Sequence, residues 1–204
     1  MQSSNQYFLF YKPYQVLSQF SAEGNKKTLA DFFPNAKKNV YPVGRLDYDS
    51  EGLLLMTNDK QLNHRLLHPT FMHEREYWSQ VEGIPSLQEL SQMENGININ
   101  VNGILYKTKK SKALILEDIR NVPERNPPIR YRKNIPTTWI SLTLIEGKNR
   151  QVRKMTAAIG YPTLRLIRYR IGNLTLGDML PGDIIEAGNG IIKDLFQTRY
   201  SWQQ

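Results

Sequence analysis

Residues 43–59 read VGRLDYDSEGLLLMTND. Asp47, Asp49 and Glu51 stand two residues apart, and the apolar run Leu53–Met56 follows directly. Extended character is expected over 40–47. Period-two alternation there places Val43, Arg45 and Asp47 on one face and Leu46 opposite. Gly52 then leads into a second extended run, LLLMT. The acids mimic the first half of a calcium loop, including a glycine at the sixth place. The twelfth place is Asn58 rather than a bidentate Glu, and a strand rather than a helix precedes the loop, so no metal is expected. Asp49 and Glu51 are assigned to the turn. Asp47, ending a strand beside Arg45, is the candidate for chemistry.

Outward from this stretch, YFLFY at 7–11 reads as an aromatic-rich strand. Residues 28–33 read as a short helix, stopped by Pro34. Asn58 with Gln61 resembles a capping box before a helix that carries Leu62 and Leu66. Residues 74–83 form a strand with Tyr77, Ser79 and Val81 on one face. Ser86 and Glu89 cap a second helix, with Leu87, Leu90 and Met93 at helical spacing and Gly96 past its end. Asn102-Gly103 marks a hairpin within 99–107. Strands are expected at 112–117, 138–145, 163–171 and 174–176, and a helix at 151–159. Strands outnumber helices and many are joined by short turns, which predicts an α+β fold with a largely antiparallel sheet. Residues 119–137 hold four prolines and five Lys or Arg, and read as a long basic loop.

Hydrophobic content of 40% and charged content of 23% fit an ordinary globular chain. The absence of cysteine excludes disulfides, a cysteine nucleophile and cysteine zinc sites, and fits a reducing compartment. The N-terminus has no signal-peptide pattern and no window approaches 18 apolar residues, so a cytoplasmic protein without membrane spans is expected. Net charge is +8, and it is concentrated. Residues 120–170 hold twelve Lys and Arg against Glu124 and Glu146, a net of +10, and the remainder carries −2. A cationic segment of this kind is the footprint of a polyanion-binding face, most simply nucleic acid.

His64 and His68 have helical i,i+4 spacing, but no HExxH register and no third ligand accompany them. No Walker loop, GxGxxG or GxSxG is present, so nucleotide cofactors have no support. EGKNRQVRKM (146–155) places Lys148, Arg150, Arg153 and Lys154 where a strand hands over to a helix. Cations there oppose the helix macrodipole, a cost that an anionic partner would offset. An aspartate in a protein that binds a polyanion repels its partner unless it is neutralised or useful. The residues alone reach an RNA or DNA enzyme with a carboxylate and an arginine at its centre, and do not name the reaction.

Three motifs carry a family resemblance. GRLDYDSEGLL resembles the GRLDxxSxGLL signature of bacterial pseudouridine synthases of the RsuA type, REYWSQVEG their KxYxVxVxG motif, and GKNRQVRKM their GxNRQVRRM segment. The resemblance runs from about Tyr7 to Glu186. It implies a pseudouridine synthase fold in which two lobes flank a central RNA cleft. It also implies a single catalytic domain over 1–204, without the N-terminal S4 domain of many relatives. The implied reaction is uridine to pseudouridine, with no metal and no cofactor. Asp47 falls on the catalytic aspartate, Tyr77 on the tyrosine that contacts uracil and takes the C5 proton, and Arg153 on the arginine that pairs with the aspartate. Arg75 stands where the motif has Lys, which keeps the charge and changes the geometry. The basic loop RNPPIRYRKNIPTTW and the start FYKPYQVLSQF resemble members acting on 23S ribosomal RNA near the peptidyl-transferase centre. RNA contacts are expected from Lys12, Arg45, Arg130, Arg132, Lys133, Lys148, Asn149, Arg150, Gln151, Lys154, Arg165, Arg168 and Arg170. Tyr131 and Tyr169 are interleaved among them for stacking. At least one of Arg165, Arg168 and Arg170 is expected to be structural. A monomer is expected. The competing function is a non-catalytic RNA-binding or ribosome-assembly factor on the same fold.

Overall fold

The computed structural model describes residues 5–34, 39–120, 122–130, 133–188 and 190–196. Tyr131, Arg132 and residues 197–204 lie outside the described residues. The chain divides into two compact units, Met1–His73 with Tyr169–Gln204, and Glu74–Arg168. No helix among the described residues is long and apolar enough to cross a membrane.

The first unit is built on β1 (Tyr7–Lys12), β2 (Tyr41–Pro42) and β3 (Glu51–Thr57). Every residue of β3 is buried, and Leu53, Leu54, Leu55 and Met56 are 0% exposed. A strand covered on both faces reads as continuous apolar sequence rather than alternation, which explains the LLLM run. Each such side chain contributes roughly 1.5–3 kcal/mol on leaving water. β1 pairs antiparallel with β3, Leu9 opposite Leu55. Phe10, Phe32 and Phe33 meet at ring distances of 5.2 Å beneath them. The helix α1 (Lys60–Leu67) buries Leu62 and Leu66. Its cap is Asp59, whose carboxylate accepts from the Gln61 and Leu62 amides, rather than the expected Asn58. Asn58 instead accepts from the Gln6 amide. The helix expected at 28–33 is a 3-10 turn, Leu29–Asp31, closed by a Thr28–Asp31 capping box.

The second unit carries β4 (Arg75–Glu82), α2 (Leu87–Glu94), β5 (Asn98–Val101), β6 (Ile104–Lys107), β7 (Lys112–Ile115), β8 (Thr137–Leu144) and α3 (Gln151–Ala158). The strand β9 (Thr163–Ile171) completes its sheet. The order is β9-β4-β8-β7, with β5 and β6 as a separate hairpin. β4 and β8 pair antiparallel along their full length, Tyr77 opposite Leu142. Asn102 (φ 54°) and Gly103 (φ 85°) make the hairpin turn, as the Asn-Gly pair predicts. The core joins Val81, Ile140 and Leu142 of the sheet to Leu90 and Met93 of α2 and Val152 and Met155 of α3. Leu87 is 77% exposed, because it sits at the first helical position and not on the buried face.

The end of β9 re-enters the first unit, where β10 (Leu174–Thr175) pairs with it. Two elements in that unit had no reading in the sequence. They are β11 (Ile184–Ala187), paired with β1, and α4 (Ile191–Phe196). The pairs β1–β11, β1–β3, β9–β10, β2–β3, β4–β8, β5–β6 and β7–β8 are antiparallel, in agreement with the α+β expectation.

Candidate active site and nucleic-acid interface

Asp47 does not end a strand. Of residues 40–47, Tyr41 and Pro42 pair with β3, the Val43 amide adds a bond to the Leu55 carbonyl at 2.7 Å, and the chain then turns away. Gly44, at φ +72°, turns the backbone so that Val43 and Leu46 are both buried while Arg45 is exposed. Val43, Arg45 and Asp47 therefore do not share one face. The Leu46 backbone is held from both sides by one hydroxyl: Ser18 Oγ donates to the Leu46 carbonyl at 2.8 Å and accepts from its amide at 3.1 Å. The Ser50 amide closes a turn onto the Asp47 carbonyl at 3.0 Å, and the Gln15 amide bonds the Tyr48 carbonyl at 2.9 Å. Asp47 is thus a half-buried carboxylate on a tightly tied turn. Glu51 is not part of that turn. It is the first residue of β3 and 1% exposed.

Tyr77 stands half-buried on β4, on the face that carries the buried Ser79 and Val81. Arg168, on the neighbouring strand β9, donates to the Tyr77 hydroxyl. Burial pulls this guanidinium below the ordinary arginine range. The Tyr77 oxygen opposes that shift, and nearby Arg75 adds to it.

Arg153 lies half-buried on α3 and donates to the Thr163 carbonyl at 3.3 Å. A chain of hydroxyls docks the helix here, from Thr156 to Thr163 at 2.8 Å and from Thr163 to Ser79 at 3.0 Å. The entry to α3 turns on Arg150, which is left-handed at φ 52°. Gln151 fixes that entry. Its Oε1 accepts from the Lys148 amide at 2.9 Å, and its Nε2 donates to Glu146 at 2.7 Å. Glu146 also accepts from the Tyr106 hydroxyl at 2.6 Å and the Lys109 amide at 2.9 Å. This hydrogen bond, with some burial, pushes the Tyr106 phenol up to about 12. Lys148 lies over the same ring at 4.6 Å. Glu146 places a negative charge under a helix start crowded with cations, which answers the macrodipole cost.

The residues expected to contact RNA separate into two sets. Arg45, Arg130, Lys133, Lys148, Asn149 and Arg150 are exposed, and Lys154 and Arg170 half-buried. Lys12, Gln151, Arg165 and Arg168 are buried. Lys12 is 0% exposed and donates to the Pro13 and Val16 carbonyls. Gln151 is committed to Glu146 and Lys148. Arg165 donates to the Pro123 carbonyl at 2.8 Å and lies over Trp139 at 5.8 Å. Arg170 donates to the Gly172 carbonyl. The basic loop is thereby fastened at one end by Arg165. At its other end the Gly83 amide bonds the Pro136 carbonyl at 2.7 Å. His64 and His68 are exposed, with ring centres 5.2 Å apart. Among the described residues no three His, Asp or Glu side chains gather where they could hold a metal ion.

The turn that carries Asp47 is tied by backbone and Ser18 bonds, Tyr77 stands on β4 beside Arg168, and Arg153 on α3 donates to the Thr163 carbonyl. Residues 6–158, which include all three, match the family of RNA pseudouridylate synthases, and the chain belongs to that family of isomerases. It is 49% identical over 174 residues to ribosomal large subunit pseudouridine synthase E of Vibrio parahaemolyticus, covering 85% of this chain and 70% of that one. It is 44% identical over 175 residues to the protein of the same name from Xanthomonas axonopodis pv. citri, covering 85% and 89%. A crystal structure of a pseudouridylate synthase aligns with a TM-score of 0.75 at 26% identity, over 94% of this chain and 74% of that one. The fold is the pseudouridine synthase fold.

Proposed function

We propose that this chain converts one uridine of 23S ribosomal RNA, near the peptidyl-transferase centre, to pseudouridine in the cytoplasm, with residues 1–204 acting as one catalytic domain and without metal or cofactor. The observation that carries this reading is the 44–49% identity to relatives named large subunit pseudouridine synthase E. The reaction breaks the bond from ribose C1′ to uracil N1 and forms a bond from C1′ to C5. N1 gains a proton and C5 loses one, so nothing enters or leaves overall. The uridine must first leave its stack. Asp47 is assigned the carboxylate that acts at C1′ or C2′ while the glycosidic bond breaks. Tyr77 is assigned contact with the freed uracil and removal of the C5 proton, and Arg153 the task of keeping Asp47 ionised. Exposed cations of the 120–170 segment hold the RNA backbone.

The test is Asp47→Asn. Isomerisation is expected to disappear while RNA affinity stays near wild type, and a variant that still makes pseudouridine removes the assignment. The target is checked by pseudouridine mapping of 23S RNA from a deletion strain, before and after the protein is restored. RNA carrying 5-fluorouridine separates enzyme from binder, since an adduct or a rearranged product requires chemistry.

A further inference from the structure

Residues 107–112 read KTKKSK, four lysines in six residues, and they lie outside the cationic segment 120–170. This connection between β6 and β7 is fixed by its two hydroxyl residues, which face inward. Thr108 and Ser111 are each 5% exposed. Thr108 Oγ1 accepts from the Ile97 amide at 2.9 Å, and the Thr108 amide donates to the Ile97 carbonyl at 3.0 Å. Ser111 Oγ donates to the Met93 carbonyl at 2.9 Å, and the Ser111 amide to the Glu94 carbonyl at 3.0 Å. Between these two anchors Lys109 and Lys110 are exposed. The Lys109 amide donates to Glu146 at 2.9 Å, which brings this connection beside the turn that carries Lys148 and Arg150. Lys148, also exposed, lies over the Tyr106 ring. The Glu146 carboxylate accepts from the Tyr106 hydroxyl, the Lys109 amide and Gln151 Nε2. Among the described residues Lys109, Lys110 and Lys148 form no ion pair. Lys107, the last residue of β6, leaves the hairpin on the face opposite to Tyr106.

We infer that Lys109 and Lys110 bind phosphates of the RNA backbone, and so extend the face of Lys148 and Arg150 across the β6–β7 connection. Cations held close together on a fixed frame repel one another, and a polyanion relieves that repulsion. The frame is built before the partner arrives, so little backbone ordering is left to oppose binding. A lysine ammonium is a compact point charge that meets a phosphate without a fixed geometry. Contacts of this kind position RNA and read no sequence. The choice of RNA over an acidic peptide rests on the proposed function and on continuity with the cations at the start of α3.

The experiment measures binding of the full chain to a fluorescently labelled RNA stem-loop over a range of potassium chloride concentrations. Each phosphate contact contributes about 0.7–0.9 to the slope of log K against log salt. Lys109→Ala combined with Lys110→Ala is therefore expected to flatten that slope by about 1.4–1.8. Lys109→Arg combined with Lys110→Arg keeps the charge and should keep the slope. Lys107→Ala removes one lysine from the opposite face of the hairpin and should leave the slope as in the wild type. Wild-type urea midpoints report that the variants are folded. An unchanged slope in the alanine pair overturns the inference, as does a flattened slope in the arginine pair. Flattening by Lys107→Ala as large per lysine as in the alanine pair also overturns it, since general loss of charge then explains the effect. Binding of poly-glutamate that depends on Lys109 and Lys110, with RNA binding that does not, overturns it as well. The slope is read without turnover. A chain whose slope depends on both lysines yet makes no pseudouridine refutes the proposed function and leaves this surface assigned. A chain that makes pseudouridine while the alanine pair keeps its slope refutes the surface alone.

Discussion

Arg165 reaches from inside β9 to the Pro123 carbonyl at 2.8 Å, and so joins a buried strand to the start of the basic loop. A cation that the charge pattern assigns to RNA is spent on holding the segment that displays other cations. Arg165→Met keeps the aliphatic volume and removes the donor, leaving a part-buried carbonyl without its partner. The expected loss is about 1–3 kcal/mol of stability. RNA affinity should fall although Arg165 is only 5% exposed, and protease cleavage within 119–137 should accelerate. Unchanged cleavage in a folded variant would show that the loop is fastened elsewhere.

This residue marks where sequence reading stops. Period and punctuation located β1, β3, β4, the Asn-Gly hairpin, α2 and α3, because apolar spacing, capping residues and turn glycines act over a few residues. Asp47, Tyr77 and Arg153 were reached through motifs. Burial of individual cations depends on which carbonyl lies across the fold, and Arg165 and Arg130 look alike in a charge count. The same holds for Glu146, which nothing nearby in sequence joins to Tyr106. β11 and α4 were missed because their few residues carry no sustained period, and they form by pairing with β1 and by packing within the unit. The strand expected up to Asp47 failed at Gly44, where a positive φ breaks the alternation.

Ser18 tests how far the Asp47 turn depends on its support. Its hydroxyl satisfies both the amide and the carbonyl of Leu46, one residue before the assigned catalytic carboxylate. Ser18→Ala leaves two buried backbone groups unmet and should cost about 1–3 kcal/mol. Displacement of the turn should lower kcat by about tenfold or more, since misplacement by an ångström can cost a factor of about a hundred. RNA affinity should hold. Reduced affinity with unaltered kcat would place Ser18 in binding rather than in alignment.

Tyr106 gives a prediction in alkali. The Glu146 hydrogen bond raises its phenol from 10.0 to about 12. The folded value lies above the unfolded one, so the neutral phenol stabilises the fold fully below about pH 10. That contribution is lost as pH rises from about 10 to about 12. Urea unfolding at pH 9, 10 and 11 should show the decline, and Tyr106→Phe should flatten it. Glu89 gives the opposite sign. Bonds from the Ser86 amide, then from the Tyr161 and Ser86 hydroxyls, hold its carboxyl below the usual 4.5. Its contribution is present above that value and disappears as pH falls through the lowered one. Glu89→Gln should remove that part of the acid sensitivity.

Arg168 and Tyr77 join a buried strand position to the tyrosine assigned to proton transfer. The guanidinium is 3% exposed and donates to the tyrosine hydroxyl, so the position of that oxygen is set by a charge buried in β9. Arg168→Lys keeps a cation on a shorter, more strongly hydrated head that cannot reproduce the planar fork. Turnover should fall by about tenfold or more, with a smaller change in the KM for RNA, if the lost interaction acts on the hydroxyl assigned to the reaction. Tyr77→Phe should slow turnover while the fold persists. The double variant separates alignment from mere stability. If Arg168 acts through the tyrosine hydroxyl, Arg168→Lys should cost little further turnover once that hydroxyl is gone, a coupling that a double-mutant cycle measures. Additive losses would mean that Arg168 supports the strand and not the tyrosine. A Tyr77→Phe variant at full speed would take the hydroxyl out of proton transfer altogether.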